Sequence, residues 1–316
     1  MKITVLDADT LGKDLSLEPL KAVGDVTVYN YSTPDEVIDR ISDCEVVIIN
    51  KIKLNGTNLP YAKNLKLICI AATGYDNVDV KYCRKNGIAV CNVVGYSTNS
   101  VALLTVSMAL SLVTHLREYN DFVRSGEYTK SGIPNRLVPV YHELDGLTWG
   151  IIGLGNIGKK VAKVASALGC RVIANKRKPD DEYEICDVDT VMREADIISV
   201  HVPLSDETRN MINADRIKMM KKDAILVNVA RGAVTDEKAL ANAIKEGRIG
   251  GLGIDVYSVE PFPKDHPFDE IKELPNVCLT PHNAWGAYEA RVRCLNDIIE
   301  NIKAFYKGEK RSRVDI

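Results

Sequence analysis

Short runs of consecutive apolar residues, rich in Val and Ile, alternate with longer helical patterns along the whole chain of 316 residues. Continuously apolar strands are typical of parallel sheets that are covered by helices on both faces. The pattern therefore predicts an α/β fold with right-handed crossovers, and the length favours two domains over one. The runs are Ile3–Leu6, Val46–Ile49, Leu67–Ala71, Ile88–Cys91, Trp149–Gly153, Arg171–Ala174, Ile197–Val202, Ala224–Val229, Gly251–Val256 and Val277–Thr280.

A glycine-rich turn follows one of these runs, with the spacing Gly-x-Gly-x-x-Gly at residues 153–158. Such glycines permit a tight turn, a close approach of the backbone to a phosphate, and close packing of the next helix on the strand. The N-terminus of that helix offers unpaired N–H groups to a pyrophosphate. Because the following run completes a βαβ unit, the segment predicts a dinucleotide site rather than a glycine-rich turn without a ligand. The expected contacts are Gly153, Gly155, Asn156, Ile157 and Gly158.

The end of the second strand of this unit and the residues just after it, Ala174–Pro179, contain no acidic residue. Folds that bind NAD usually place Asp or Glu there to accept a hydrogen bond from the ribose 2′-hydroxyl, whereas a 2′-phosphate needs cations. We therefore predict a preference for NADP(H), with NAD(H) as the second cofactor. The alternative is an exposed basic turn that binds no ligand. The residues concerned are Asn175, Lys176, Arg177 and Lys178.

Three polar side chains follow further apolar runs, where ligands bind in an open α/β sheet. They are Arg231, Glu260 and His282. Oxidation of a 2-hydroxy acid needs a cation for the carboxylate, a base for the hydroxyl proton, and a carboxylate that orients this base. Singly, the three residues could be a surface cap, a solvated loop acid and a hydrogen-bonded histidine. Their occurrence together at strand ends favours a catalytic set.

Composition and charge exclude several other classes. The chain is 46% hydrophobic and 27% charged, and its formal net charge is −2, which predicts neither a nucleic-acid nor a membrane partner. No apolar run approaches the roughly 18–20 residues that span a bilayer, and the N-terminus does not resemble a signal peptide. The eight cysteines form no CxxC pair and no cluster with zinc spacing, so we expect no metal, reduced thiols and a cytoplasmic location.

Two other segments carry structural predictions. Residues Ser100–Tyr119 have the composition of one long helix, apolar at first and charged at its end. The stretch Ser125–Asp145 has little periodicity and predicts an extended surface connection or an arm that contacts a second subunit. A last helix is expected at about Tyr288–Tyr306, where the chain could return to the first domain.

The sequence resembles the D-isomer-specific 2-hydroxyacid dehydrogenase family, and the likeness covers nearly the whole chain. Four segments carry it: GLGNIG at 153–158, VNVARG at 227–232, DVYSVEP at 255–261 and TPHNAW at 280–285. Within the family the chain is most similar to glycerate dehydrogenases, also called hydroxypyruvate reductases. Further matching segments are Asn50–Lys51, Ala72–Asp79 and Gly95–Ala102.

The resemblance implies two Rossmann-like domains: a discontinuous substrate domain of residues 1–99 plus 287–316, and an inserted dinucleotide-binding domain of residues 100–286. It implies that Arg231 binds the substrate carboxylate, that Glu260 pairs with His282, that His282 is the acid/base, and that the active site lies between the domains. It also implies a homodimer built around the helix near residues 100–119. Further expected cofactor contacts are Val202, Pro203, Val229, Ala230, Arg231, Asp255 and His282, and expected substrate contacts are Lys51, Thr73, Gly74, Arg231, His282 and Trp285.

The chain departs from the family pattern in three places: the missing acid after the second strand, Asn283 after the histidine, and a poor match over residues 121–142. The favoured reaction is reduction of hydroxypyruvate or glyoxylate to the matching 2-hydroxy acid. Activity of the D-lactate or phosphoglycerate dehydrogenase type is the alternative. A formate-dehydrogenase-like reaction is disfavoured because it transfers no proton and Glu260 fits proton transfer. A nucleotide-sensing protein on the same scaffold would not need all three polar residues.

Overall fold

A computed structural model describes all residues from Met1 to Ile316, and the chain divides into two compact units. One unit comprises Met1–Ser97 and Gly286–Ile316, and the other comprises Thr98–Trp285. The sequence predicted boundaries at residues 99/100 and 286/287. The chain thus leaves the first unit once and returns to it for its last helix.

The strands are short, and ten of them coincide with the predicted apolar runs. The two that the sequence did not reveal are β2 and β8, which lie at sheet edges; β2 is largely exposed and β8 has two residues. In chain order the strands are β1 Lys2–Val5, β2 Asp25–Val28, β3 Val46–Ile49, β4 Leu67–Ile70, β5 Ala89–Cys91, β6 Thr148–Ile152, β7 Arg171–Asn175, β8 Glu184–Ile185, β9 Ile197–Val200, β10 Ile225–Asn228, β11 Gly251–Ile254 and β12 Val277–Leu279.

The helices connect these strands, and short 3₁₀ turns occur between them. In chain order the α-helices are α1 Pro34–Ile41, α2 Val80–Lys85, α3 Thr98–Val113, α4 Leu116–Arg124, α5 Glu127–Ser131, α6 Asn156–Ala167, α7 Val188–Glu194, α8 Ala214–Met219, α9 Glu237–Lys245 and α10 Tyr288–Tyr306. The 3₁₀ turns are Ala8–Leu11, Glu18–Ala22, Leu59–Tyr61, Gly232–Val234 and Pro267–Glu270.

Both sheets are parallel throughout, which confirms the predicted α/β class. The first unit has five strands in the order β2-β1-β3-β4-β5, and the second has seven in the order β12-β11-β10-β9-β6-β7-β8. In the second unit, alternate strand residues pack on opposite faces. Trp149 and Ile151 lie with α3 and α6, whereas Ile152 and Ile198 lie with α7, α8 and α9. The continuous apolar runs follow from this burial on both faces.

The prediction of one helix over Ser100–Tyr119 is wrong. The chain forms α3 and then α4, which are bent by 65° relative to each other. His115 lies between them with a φ of 49°, in the left-handed region that interrupts an α-helix. The two helices differ in burial: seven residues of α3 are buried, whereas none of α4 is. No single helix is both long and apolar enough to cross a bilayer, and this bent pair meets that criterion only when its members are combined.

The segment after α4 is partly helical, so the predicted extended connection over Ser125–Asp145 needs correction. Helix α5 occupies Glu127–Ser131, and only the residues after it lack regular structure. The segment carries large apolar side chains on its surface. Leu137 is 75% exposed, and Ile133, Val138, Val140 and Tyr141 are exposed as well.

All eight cysteines are free thiols, and six of them are buried. Burial raises the pKa of Cys44 to about 11 and that of Cys83 to about 12, which suppresses the reactive thiolate. We predict that the native protein reacts rapidly with Ellman's reagent at no more than the two half-buried thiols, Cys186 and Cys278. Protein purified without reductant and then denatured should give eight thiols; a smaller number would reveal a disulfide and contradict the structure.

Candidate functional site

The carboxyl ends of all seven strands of the second unit meet at one edge of its sheet, because the strands are parallel. The predicted cofactor and catalytic residues of this unit follow the strands at this edge. The glycine-rich turn follows β6, the basic segment follows β7, Arg231 follows β10 and His282 follows β12. Open parallel sheets bind ligands at this edge.

The glycine-rich turn is packed tightly against its neighbours. Gly153 has a φ of 99°, and an added Cβ would lie 2.8 Å from the carbonyl carbon of His201 and 2.9 Å from the nitrogen of Val202. At Gly158 an added Cβ would lie 2.3 Å from the carbonyl oxygen of Gly153. The carbonyl of Asn175, the last residue of β7, accepts hydrogen bonds from Gly153 at 3.1 Å and Leu154 at 3.3 Å. Contacts with backbone atoms thus require glycine at positions 153 and 158.

Gly155 differs from the other two glycines, because an added Cβ would meet no atom within 4 Å and its φ is not positive. The packing of the chain itself therefore does not require a glycine at this position. A phosphate group lying on this backbone does require one, and Asn156 and Ile157 begin α6 immediately after it. The space above Gly155 and the start of α6 fit a dinucleotide pyrophosphate.

His201 was not predicted as a site residue, and it places a ring nitrogen without a hydrogen-bond partner at the same edge. The Trp149 indole N–H donates to Ser199 Oγ at 3.0 Å, and Ser199 Oγ lies 3.0 Å from His201 Nε2. Nδ1 is buried and has no partner in the chain. Burial lowers the pKa of His201 to about 3, so the ring is neutral near pH 7.

The basic segment after β7 is held by acids that lie outside it. Lys176 and Lys159 both donate to one carboxylate oxygen of Asp180, each at 2.7 Å, and Arg177 pairs with Glu207. The Asp180 side chain is only 5% exposed, and the hydrogen bonds from Lys159 and Lys176 hold its pKa well below the usual range. Asp180 lies two residues beyond Lys178, outside the residues from which the cofactor preference was predicted.

Side chains that form hydrogen bonds with the backbone fix the segments after β9 and β10. Thr208 Oγ1 donates to the Pro203 carbonyl at 2.6 Å, next to Val202. Asn228, the fully buried last residue of β10, accepts from the Ala230 amide at 3.0 Å and donates to the Arg231 carbonyl at 3.0 Å. This asparagine, which the sequence analysis did not single out, sets the backbone around Arg231. Val229, which follows Asn228, packs into the core.

Glu260 and His282 are in contact, as the sequence analysis predicted. Glu260 Oε2 lies 2.7 Å from His282 Nδ1, and the side chains are 32% and 21% exposed, so a ligand can reach the pair. Glu260 Oε1 accepts from the Tyr257 amide at 3.0 Å. The carboxylate is thus fixed by its own loop and orients the imidazole through Nδ1.

The turn that carries His282 is organised by the buried carboxylate of Asp255. One oxygen accepts from Thr280 Oγ1 at 2.6 Å and from the Asn283 amide at 2.9 Å, and the other accepts from the Ala284 amide at 3.0 Å. Burial raises the pKa of Asp255, whereas these hydrogen bonds lower it. His282 itself has a φ of 52°. Asp255, which was predicted to contact the cofactor, thus holds this turn. Asn283, which departs from the family pattern, takes part through its backbone amide.

Trp285 also contacts the histidine turn. Its indole N–H donates to the carbonyl oxygen of His282 at 2.9 Å and so supports the backbone of this residue. Both residues were predicted to bind the substrate. The carboxylate, the imidazole and the indole therefore form one hydrogen-bonded group within the second unit.

The predicted substrate contacts of the first unit lie after β3 and β4. The buried carboxylate of Asp7 accepts from the amides of Asn50, Lys51 and Ile52, the shortest at 2.6 Å from Lys51. Burial raises the pKa of Asp7 against the effect of these bonds. Thr73, next to Gly74, donates through its hydroxyl to the Val93 carbonyl at 2.8 Å. Both segments are thus fixed within this unit.

Comparison with known proteins identifies the family to which the chain is similar. Residues 106–284 match the model of the D-isomer-specific 2-hydroxyacid dehydrogenase NAD-binding domain. A glycerate dehydrogenase of Methylorubrum extorquens is 37% identical over 315 residues, which are 99% of each chain. A glyoxylate reductase of Thermococcus litoralis is 40% identical over 264 residues, or 81% of this chain and 78% of the relative. The solved structure of a D-lactate dehydrogenase from Aquifex aeolicus, complexed with NAD and lactic acid, superposes with a TM-score of 0.87 at 28% identity and covers 100% of this chain and 99% of that one.

These matches favour an enzyme over the nucleotide-sensing protein, and they agree with the strand-end residues and the dinucleotide turn. The chain belongs to the D-isomer-specific 2-hydroxyacid dehydrogenase family and is a nicotinamide-dependent oxidoreductase.

Proposed function

We propose that this enzyme reduces hydroxypyruvate to D-glycerate or glyoxylate to glycolate, with Arg231, Glu260 and His282 as its catalytic residues. The observation that carries the proposal is the 2.7 Å contact between Glu260 and His282, at the sheet edge that also bears Arg231 and the glycine-rich turn. An acid/base paired with a carboxylate is needed where a proton is transferred together with hydride.

The residues divide the chemistry as follows. Arg231 holds the substrate carboxylate through paired N–H donors and thereby fixes the neighbouring carbonyl. The nicotinamide supplies hydride to the carbonyl carbon when the cofactor is bound. Since Nδ1 of His282 faces Glu260, Nε2 is the ring atom that gives its proton to the carbonyl oxygen. Glu260 stabilises the charged ring before that transfer, and the reverse steps oxidise the hydroxy acid.

The choice of substrate rests on the relatives. One that matches over nearly its whole length is named a glycerate dehydrogenase, and another a glyoxylate reductase. Both names point to small 2-oxo acids. D-lactate or phosphoglycerate dehydrogenase activity remains the second candidate, since a D-lactate dehydrogenase has the same fold. We further propose Lys51, Thr73, Gly74 and Trp285 as substrate contacts.

For the cofactor we propose a preference for NADP(H). Support comes from the basic segment Lys176–Lys178 and from Asn175, which ends β7 where an NAD site usually has an acid. Asp180 partly neutralises this segment through its pairs with Lys159 and Lys176, so a 2′-phosphate has to compete with it. We assign cofactor binding to the unit Thr98–Trp285, with contacts from the glycine-rich turn, Asn175–Lys178, Val202–Pro203 and Val229–Arg231.

We also propose that the enzyme is a homodimer in the cytoplasm. The exposed apolar side chains around α4 and the following segment are unusual on a monomer surface, and a second copy of the chain would cover them. The free cysteines suit a reducing compartment.

A panel of 2-oxo acids, tested with NADPH and NADH, measures the substrate and the cofactor together. We expect the highest kcat/KM for hydroxypyruvate or glyoxylate, lower values for pyruvate and bulkier acids, and more efficient turnover with NADPH. Higher efficiency with pyruvate would favour the D-lactate alternative, and equal or better efficiency with NADH would contradict the cofactor preference.

Replacing Asp180 with Asn tests the cofactor prediction at its site. If Lys176 serves a 2′-phosphate, removal of the competing carboxylate should lower KM for NADPH by about fivefold and leave KM for NADH nearly unchanged. If Asp180 instead accepts from a 2′-hydroxyl, the same variant will bind NADH less well. Asp215→Asn, at an exposed ion pair with Lys218, is the matched control.

Removal of the proposed acid/base should abolish most turnover. His282→Ala is expected to lower kcat by a factor of about 10²–10⁴, because proton transfer loses its donor, while the Kd of the cofactor changes little. The control is His142→Ala, an exposed histidine in the segment after α5. Turnover of His282→Ala at the wild-type rate would refute the assignment.

Sedimentation equilibrium tests the subunit arrangement. We expect twice the 34.9 kDa mass of the chain, and a lower association constant for Leu137→Asp, whose side chain is 75% exposed. A wild-type protein that sediments as a 34.9 kDa monomer at micromolar concentration would exclude the homodimer.

A further inference from the structure

Glu237, the first residue of α9, places its carboxylate in a buried cluster below the loop that carries Glu260. The residue is 9% exposed. One carboxylate oxygen accepts from the Ser258 amide at 2.7 Å, and the other accepts from the Ser258 hydroxyl and from His266 Nε2, the latter at 3.0 Å. All three donors come from the loop between β11 and β12, and none comes from α9 itself.

The hydrogen-bond pattern fixes the donors and acceptors of this cluster. The Phe268 amide donates to His266 Nδ1 at 3.2 Å, so Nδ1 is an acceptor and the ring hydrogen lies on Nε2. His266 therefore donates to Glu237, which accepts on both of its oxygens. The rings of Phe262 and Phe268 lie 4.9 and 5.1 Å from the imidazole. In such apolar surroundings hydrogen bonds to a charge are strong and directional.

The other side of the same loop leads directly to the catalytic pair. Tyr257, which precedes Ser258, donates its amide to Glu260 Oε1 at 3.0 Å, and Glu260 Oε2 contacts His282. The Tyr257–Ser258 peptide also lies on Gly232, where an added Cβ would be 2.0 Å from the Tyr257 carbonyl carbon. Gly232 follows Arg231 in sequence. This peptide is thus held by Glu237 and Gly232, and the amide on the other side of the Tyr257 Cα binds Glu260.

A helix-capping role alone does not explain these contacts. An acid in the first turn of a helix is stabilised by the helix dipole while it stays in water. Here the carboxylate is buried, which is costly unless every oxygen is paired, and its partners all belong to one loop. The arrangement is the one expected for an acid that fixes the conformation of that loop.

We propose that Glu237 is a positioning residue for the reaction: it fixes the Ser258 peptide and, through it, directs Glu260 at His282. The inference rests on the proposed catalytic roles of Glu260 and His282. Glu237 does not contact the reacting atoms, and its effect on turnover passes through Glu260.

The variant Glu237→Gln keeps the shape of the side chain but replaces one accepting oxygen with an amino group, which cannot accept from Ser258 or His266. We expect kcat to fall about 10- to 100-fold, as happens when the residues that orient a catalytic group are removed. The Kd of the cofactor should stay within about twofold of the wild-type value, since the glycine-rich turn is untouched. Ser258→Ala removes one donor and should give a smaller loss of about threefold. Glu270→Gln, at an exposed ion pair with Lys245, is the matched control and should not change kcat.

A double-mutant cycle separates positioning from general stability. If Glu237 acts through Glu260, adding Glu237→Gln or Ser258→Ala to a Glu260→Gln background should cause little further loss of kcat. Losses that multiply, or a folded Glu237→Gln enzyme with wild-type kcat, would overturn the inference. If Glu237→Gln fails to fold, Ser258→Ala is compared in the wild-type and Glu260→Gln backgrounds instead. Wild-type kcat of Ser258→Ala, or losses that multiply in the double variant, would then overturn the inference. Unchanged turnover of Glu260→Gln and His282→Ala would instead refute the proposed function itself.

Discussion

The parallel direction of the seven strands in the second unit is the constraint on which its chemistry depends. It brings the carboxyl ends of β6, β7, β9, β10, β11 and β12 to one edge, although these strands span about 130 residues of sequence. Residues as distant as Gly153 and His282 therefore share that edge without any local signal that connects them. This edge carries the glycine-rich turn, the basic segment, the half-buried His201, the Arg231 guanidinium and the Glu260–His282 pair.

Buried carboxylates hold the turns at these strand ends. Asp255 pairs both oxygens with the His282 turn, Glu237 does the same for the loop that carries Glu260, and Asp7 holds the Lys51 segment of the first unit. A carboxylate can accept several hydrogen bonds at once, and unpaired backbone N–H groups in a turn need acceptors. Burial makes each of these contacts costly to break. The proposed catalytic groups are thus held in place by acids to which the proposal gives no part in the reaction.

The sequence allowed the fold class, ten strands and the Glu260–His282 pair to be predicted, because burial on both faces and the chemistry of strand ends leave direct traces in residue type. Strand β2 was not predicted, since an exposed edge strand has no apolar pattern. The break between α3 and α4 was not predicted either, because nothing in the composition around His115 forbids a continuing helix. Asp180, His201 and Glu237 gain their roles only from neighbours that are distant in sequence, and single-chain patterns carry no record of such contacts.

We propose that Arg231 and His282 face one substrate from the same edge of the sheet. A crystal structure with the nicotinamide cofactor and oxamate, a 2-oxo acid analogue that is not reduced, tests this arrangement most directly. We expect the oxamate carboxylate about 2.7–3.0 Å from the Arg231 guanidinium, with the carbonyl oxygen facing Nε2 of His282. Oxamate bound without Arg231, or a His282 ring turned away from both Glu260 and the ligand, would contradict it.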